Sequence, residues 1–327
     1  MLNFNNDATK FYIVAPANLA TGGPELLHQL AYKLKQNGKN VSMFYIPTNH
    51  TSPVHDNYKQ YGIDYVRQVN DDEKNVVIMP ETQTQLLNEY SKTKKIVWWL
   101  SVDNYFLWLP GIKGRLNRLL LNRVGSQKYF FFNSTLMKSA DFHLVQSEYA
   151  KEYLNKRGIN KVGYLADYLH ESFLKVETSL DFKEDIVAYN PKKGIKFTKS
   201  LIKKAPEIKF VAIENMTREE VVALLQKSKV YIDFGFHPGK DRIPREAAFL
   251  KCCVITNKRG SARFSKDVPI EKEFKFDENE SNLNFIKDKI NDCFKNYSQN
   301  IEKFEKYRQE IKQQESEFDD QVREFFK

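Results

Sequence analysis

Short apolar runs alternate with segments of helical period along most of the chain. The run at residues 11–15 is followed by Thr21-Gly22-Gly23-Pro24, after which Leu26, Leu27, Leu30, Ala31 and Leu34 recur at helical spacing until Asn37-Gly38 closes the segment. Residues 41–46 and 76–79 read as strands, 82–90 as a helix, and 96–100 and 142–146 as further strands. Ser147-Glu148-Tyr149-Ala150 opens a helix that ends at Arg157-Gly158, and 162–165 follows as a strand. The rhythm then restarts, with strands at 186–189, 209–213, 230–234 and 254–256 and helices at 194–204, after Thr217, and at 244–250. Thr217 and Glu220 have the spacing of a capping box, in which the hydroxyl accepts from the amide three residues on and the carboxylate reaches back. Short apolar strands separated by helices imply a parallel sheet covered on both faces.

Two successive halves of this kind predict an α/β chain of two Rossmann-like domains facing a cleft. The expected division is 1–168, 169–300, and a terminal helix over 301–327 that packs back on the rest, because its charged sequence carries Phe304, Tyr307, Phe318, Phe325 and Phe326. With 327 residues, 41% hydrophobic and 28% charged, the chain can build two cores. Cys252, Cys253 and Cys293 show no metal spacing and read as buried small hydrophobes in a reducing compartment. No signal peptide is visible, and the longest apolar run, 96–100, is far short of the roughly 20 residues of a membrane helix. The expected location is therefore the cytoplasm. A net charge of +9 favours phosphorylated ligands, polyanions or anionic membrane surfaces without choosing among them.

Four segments carry candidate chemistry. Gly22 and Gly23 lie between the first strand and first helix, at the sheet edge where doubly wound domains bind ligands, though a tight structural turn explains them equally well. Asn190-Pro191-Lys192-Lys193-Gly194 places Lys193 beside a helix N-terminus, a combination suited to a diphosphate, with a solvated loop as the alternative. The stretch 234–248 is the densest cluster of functional side chains. In it His237 is a catalytic candidate, Lys240, Arg242 and Arg245 are phosphate-neutralising candidates, and Glu246 is either a carboxylate in the first helical turn or an acceptor for ribose hydroxyls. Asp103, after the strand at 96–100, is a second catalytic candidate or a structural loop residue.

The order of these segments resembles the retaining GT-B glycosyltransferases, near glycosyltransferase family four. Gly22-Gly23 with Glu25 resembles the N-terminal glycine loop of that family, and Val145-Gln146-Ser147-Glu148-Tyr149-Ala150 its segment before the domain crossover. Asn190-Pro191-Lys192-Lys193-Gly194 resembles the start of the donor domain, and Arg245-Glu246-Ala247-Ala248 with Val254-Ile255-Thr256 the helix bearing the donor-binding glutamate. The resemblance implies that Lys193 meets the donor diphosphate and Glu246 the donor ribose. It implies a nucleotide-sugar donor as substrate, a glycan or lipid-linked acceptor, and retention at the transferred sugar. It further implies a place in capsule, O-antigen or lipooligosaccharide biosynthesis, with no cofactor. The chain departs from the pattern at Pro238, where the family has its earlier glutamate, and at Ala188-Tyr189, where it has an arginine; Arg242 or Lys240 is then the second cation. No two aspartates are separated by one residue, so no metal is expected.

From 111 to 128 there are five basic residues and no acidic one, with Leu109, Ile112, Leu116, Leu119 and Leu120 near one helical face. Trp108, Arg115 and Arg118 are thus candidates for contact with an acceptor or with the anionic inner face of a membrane; the alternative is that the leucines face the core and the basic face is solvated. Two other functions compete with the enzyme reading. A NAD(P)-dependent oxidoreductase needs a glycine fingerprint that Gly22-Gly23 does not supply. A non-catalytic basic protein binding polyanions suits the charge, but no nucleic-acid recognition module is present, and no nucleic-acid partner is expected.

Overall fold

The computed structural model of the chain describes residues 8–124 and 131–327, and of 121–124 the backbone alone. The chain divides into two units, Met1–Asp167 with Ser316–Lys327, and Tyr168–Glu315. Each is built on its own parallel sheet.

The first sheet comprises β1 (Lys10–Pro16), β2 (Asn40–Ile46), β3 (Tyr65–Val66), β4 (Val76–Pro80), β5 (Lys94–Trp99), β6 (Phe142–Val145) and β7 (Val162–Tyr164), in the order β3-β2-β1-β4-β5-β6-β7. Its inner strands are continuous apolar runs: Ile13, Val14, Val77, Ile78, Val97 and Trp98 are fully buried, as strands covered on both faces require. The helices are α1 (Gly22–Gln36), α2 (Val102–Leu107), α3 (Gly111–Val124), α4 (Ser134–Lys138) and α5 (Glu148–Asn155). The helix expected at 82–90 is instead a 3-10 segment, Glu81–Asn88, interrupted at Gln83. Its apolar residues Leu86 and Leu87 are adjacent, which one tight turn buries without a helical stripe.

The second unit contains β8 (Glu184–Tyr189), β9 (Lys209–Ala212), β10 (Ser228–Asp233), β11 (Cys253–Asn257) and β12 (Lys275–Phe276), in the order β12-β11-β10-β8-β9. With these go α6 (Glu171–Leu174), α7 (Ile195–Lys204), α8 (Arg218–Lys227), α9 (Arg242–Phe249), α10 (Leu283–Lys295) and α11 (Tyr297–Glu302). The capping box of α8 forms as expected between Thr217 and Glu220. All three cysteines are free and buried. The terminal helix expected over 301–327 is α12 (Glu305–Phe325), which follows α11, begins in the second unit and ends in the first.

In each sheet the chain leaves a central strand to one side and returns on the other. The reversal falls between β1 and β4 in the first sheet and between β8 and β10 in the second. Loops at the carboxyl ends of the strands diverge at such a point and leave a crevice, which is where open α/β sheets bind ligands.

Candidate functional site

At the switch point of the second sheet, the segment after β8 meets the segment after β10. Gly194 makes the approach possible. Its φ is +67°, and a Cβ there would lie 2.3 Å from the Phe234 carbonyl carbon, so both the backbone conformation and the space require glycine. Gly235 lies under the Lys193 side chain, where a Cβ would come within 2.5 Å of Lys193 Cγ. A third loop holds this pair from the far side. Asn257 Nδ2 donates to the Gly235 carbonyl, the Ser261 amide donates to the His237 carbonyl at 2.9 Å, and Ser261 Oγ donates to the Gly239 carbonyl. Gly260, with φ of +52°, has no room for a Cβ against His237 O.

This convergence brings Lys193 onto two carboxylates. Its ammonium lies 3.2 Å from Asp233 Oδ2, donates to Asp241 Oδ2, and donates to the Phe236 carbonyl at 3.3 Å. His237, fully buried, places Nδ1 2.8 Å from Asp241 Oδ2 and Nε2 3.3 Å from the Asp233 carbonyl. Asp233 ends β10 and accepts from the Gly235 amide at 3.0 Å and from the Tyr231 hydroxyl at 3.2 Å. Burial works against the Lys193 charge, but the two aspartates outweigh it and hold the ammonium pKa above its ordinary range. The same contacts with Lys193 and His237 overcome burial at Asp241 and keep its carboxyl below the usual range. Among the described residues, Asp233, His237 and Asp241 form the one group of metal-ligating types whose ligand atoms lie within 4.8 Å of one another. In this structure Lys193 supplies the positive charge between the two carboxylates.

The rest of the 234–248 cluster divides. Glu246 is buried, and burial of the Tyr231 phenol, followed by the charges of Asp233, Asp241 and Glu246, pushes its pKa up. Glu246 stands in the second turn of α9, since the helix begins at Arg242; the first-turn, dipole-capping position read from the sequence is corrected accordingly. Arg245 is corrected too. It is fully buried and turned inward, its Nε donating to the Asp241 carbonyl at 3.2 Å, Nη2 to the Lys240 carbonyl at 3.0 Å and Nη1 to Gln314 at 2.9 Å. It shapes the loop and has no face for a phosphate. Arg242 opens the helix, and Lys240 precedes it by two residues; both are half-buried.

In the first unit, Gly22 and Gly23 are the first two residues of α1 and not a loop before it, with Thr21 as the N-cap. Asp103 is also not a loop residue. It lies in the first turn of α2, fully buried, and accepts from the Tyr149 hydroxyl at 3.1 Å, so its geometry is that of a core anchor. Glu81, directly after β4, is a buried carboxylate at this sheet's switch point that sequence reading missed. It accepts from the Leu100 amide at 2.9 Å, and burial pushes its carboxyl up to about 7. Asp233 and Asp241 were missed as well. The available signals were an aspartate closing an otherwise apolar strand and one preceding a helix.

α3 was expected to run through residues beyond its described end, and Lys128 lies outside the described residues. It packs by its small and polar side. Gly114 has no room for a Cβ against the Leu109 carbonyl, and buried Asn117 donates to the Phe106 carbonyl at 3.1 Å. Ile112 and Leu119 are left 81% and 75% exposed, and Leu116 and Trp108 are exposed beside them. Arg115 and Lys113 flank this stripe in solvent, and Arg118 reaches back to the Leu107 carbonyl. No helix among the described residues is long and apolar enough to cross a membrane.

No protein-family model and no curated protein matches the chain. Solved structures do. Sucrose-phosphate synthase from Thermosynechococcus elongatus aligns over 97% of this chain and 98% of its own, with a TM-score of 0.69 and 12% identity. The Anabaena protein HepE, in complex with UDP-glucose, aligns over 97% and 98%, with a TM-score of 0.63 and 12% identity. A glycosyltransferase from Rickettsia africae aligns over 97% and 94%, with a TM-score of 0.60 and 14% identity. The chain has the GT-B fold. At these identities the likeness is one of fold, so the site of this GT-B chain is read from its own residues.

Proposed function

We propose that this chain is a glycosyltransferase that moves a hexosyl group from a nucleotide-sugar to a glycan or lipid-linked acceptor. The observation that carries the reading is the convergence of residues 193 and 235–246 at the switch point of the second sheet, in a GT-B fold. A sugar leaving a nucleoside diphosphate deposits negative charge on the departing group, and a preorganised cation beside it lowers the barrier. Lys193 is such a cation, kept charged by Asp233 and Asp241. All three of its donors are engaged within the protein, so a diphosphate is expected to take the place of Asp241 at the ammonium. Glu246 is assigned to the donor ribose, with Lys240 and Arg242 assigned to the phosphates. His237 holds the loop through Asp241. Because Lys193 already stands between the carboxylates of the only candidate metal cluster among the described residues, the reaction is read as metal-independent.

Retention at the transferred sugar, and a place in surface-polysaccharide assembly at the cytoplasmic face, are the readings the resemblance to family four supports. The outward stripe of α3, apolar and flanked by basic residues, supports contact with an anionic membrane bearing the acceptor. The experiment is calorimetric titration with UDP-glucose, GDP-mannose, CMP- and dTDP-sugars, their free nucleotides, and NADH. A sugar nucleotide is expected to bind, and Glu246→Ala to weaken it at least ~10-fold with the fold intact, as the loss of a charge-assisted hydrogen bond predicts. Binding of NADH alone, or undiminished binding by the variant, overturns the reading.

A further inference from the structure

A cavity of about 570 Å³ opens in the first unit between α1 and the connection from β2 to β3, within the size range of small-molecule sites. Its lining is aromatic. His28, Tyr45 and Tyr58 form the buried part and Tyr65, 41% exposed, the rim, with Lys59 and Asp64 beside it. His28 stacks on Tyr58 with ring centroids 4.1 Å apart, and Tyr45 and Tyr65 meet edge to face at 5.9 Å. The polar atoms of the floor are largely committed. His28 Nδ1 lies 2.6 Å from the Pro24 carbonyl and must donate to it, so Nε2 accepts from the Tyr45 hydroxyl at 2.7 Å. Burial lowers the His28 pKa to about 4, which keeps the ring in this neutral tautomer. The Tyr58 hydroxyl donates to the Thr21 carbonyl at 3.1 Å. At 1–4% exposure these three rings close the floor against one another, so what the cavity offers a ligand is the Tyr65 ring at the rim, the Asp64 carboxylate, and the Lys59 ammonium, which also holds Asp56 at 2.6 Å.

We propose that this cavity is a carbohydrate subsite that holds one pyranose residue of the acceptor glycan, a C–H face of the ring against Tyr65 and its hydroxyls on Asp64 and Lys59. The assignment to the acceptor rests on the glycosyltransferase reading above. A nucleobase needs a fixed pattern of donors and acceptors on the walls, and the hydrogens of His28, Tyr45 and Tyr58 are already spent within the protein. An acyl chain gains nothing from a charged rim. A pyranose has one apolar face and a belt of hydroxyls that both donate and accept, which matches the exposed Tyr65 ring with charges of opposite sign beside it.

The test is saturation-transfer NMR on the full chain with methyl α- and β-glycosides of glucose, galactose, mannose and N-acetylglucosamine, and with uridine as a separate probe. At least one glycoside is expected to receive saturation at its ring protons. Tyr65→Ala and Asp64→Ala, both at the solvent-facing rim, are each expected to cut that signal at least ~5-fold, the scale of one lost contact of about 1 kcal/mol. UDP affinity, measured by calorimetry on the same samples, should stay at the wild-type value. No glycoside signal, a glycoside signal that survives both variants, or saturation of the uridine base that the variants abolish, overturns the proposal. Failure of UDP and sugar-nucleotide binding in the wild type instead sinks the glycosyltransferase reading and leaves the glycoside result to be judged by itself.

Discussion

At the scale of single residues, the ion cluster of the second unit decides what Lys193 does. Replacing it with Met leaves Asp233 and Asp241 facing each other without a counter-charge, and removing one partner from a buried charge cluster costs about 3–5 kcal/mol. Lys193→Met is therefore expected to lower the urea unfolding free energy by that amount and to abolish nucleotide binding. Adding Asp241→Asn should recover stability without recovering binding; recovery of both would show that the lysine only neutralises its neighbours. Glu81 gives a second test, through pH. Burial raises its folded pKa to about 7 from the ordinary 4.5 of an exposed glutamate, and the Leu100 amide only partly opposes this. Below the lower value both states are neutral and the group contributes nothing to pH dependence. As pH rises through the window between the two, the unfolded chain ionises first and stability falls. A difference of that size corresponds to on the order of 3 kcal/mol. Glu81→Gln keeps an acceptor for the Leu100 amide and cannot ionise, so it should gain about that much relative to wild type between pH 4.5 and pH 8, as read from urea unfolding curves at each pH. Parallel stability profiles for the two proteins would refute the assignment.

At the scale of elements, the parts of the site that were legible in the sequence are those fixed by backbone chemistry. Gly194 and the Gly/Pro-rich loop after β10 announced themselves, because positive φ and close approach exclude most side chains. The partners of Lys193 were not legible, since an ion pair between residues 40 or more positions apart depends on sheet order and no local pattern reports it. Gly194→Ala tests how far the element geometry rests on one position. It should distort both loops together, lower Tm and weaken nucleotide binding; an unaltered affinity would show that the convergence is not what forms the site. α3 is the converse case. Its periodicity was plain, but which face turns inward depended on Gly114 and Asn117, and small or polar residues give no hydropathy signal. With Ile112 and Leu119 outward, burial of each in a lipid surface contributes roughly 1.5–3 kcal/mol. Ile112→Ser with Leu119→Ser is expected to reduce sedimentation with phosphatidylglycerol vesicles by ~100-fold or more in partition coefficient. Wild-type protein that ignores those vesicles would end the membrane reading.

At the scale of the whole molecule, the last twelve residues complete a core begun more than 300 positions earlier. Ser316–Lys327 belongs to the first unit although the chain has by then traversed the second. Phe318 stacks near Trp98 at 6.3 Å, Phe326 meets Phe11 edge to face at 5.8 Å, and Gln321 accepts from the Ala166 amide at 2.8 Å. Phe318, Val322 and Phe326 are each at most 2% exposed. Removing one such buried phenylalanine from a core costs about 3–5 kcal/mol, so losing two of them approaches the whole stability of an ordinary domain, about 5–15 kcal/mol. A chain ending at Glu315 should therefore lose the first unit's fixed packing while the second, Tyr168–Glu315, keeps every residue of its own. The tryptophans make the two separable: Trp98, Trp99 and Trp108 all lie in the first unit, and the first two are fully buried. In the truncated chain, tryptophan emission should already be red-shifted without denaturant, while a cooperative urea transition persists in far-UV circular dichroism and reports the second unit. Native tryptophan emission in that chain would show that the terminal helix decorates the first core and does not complete it.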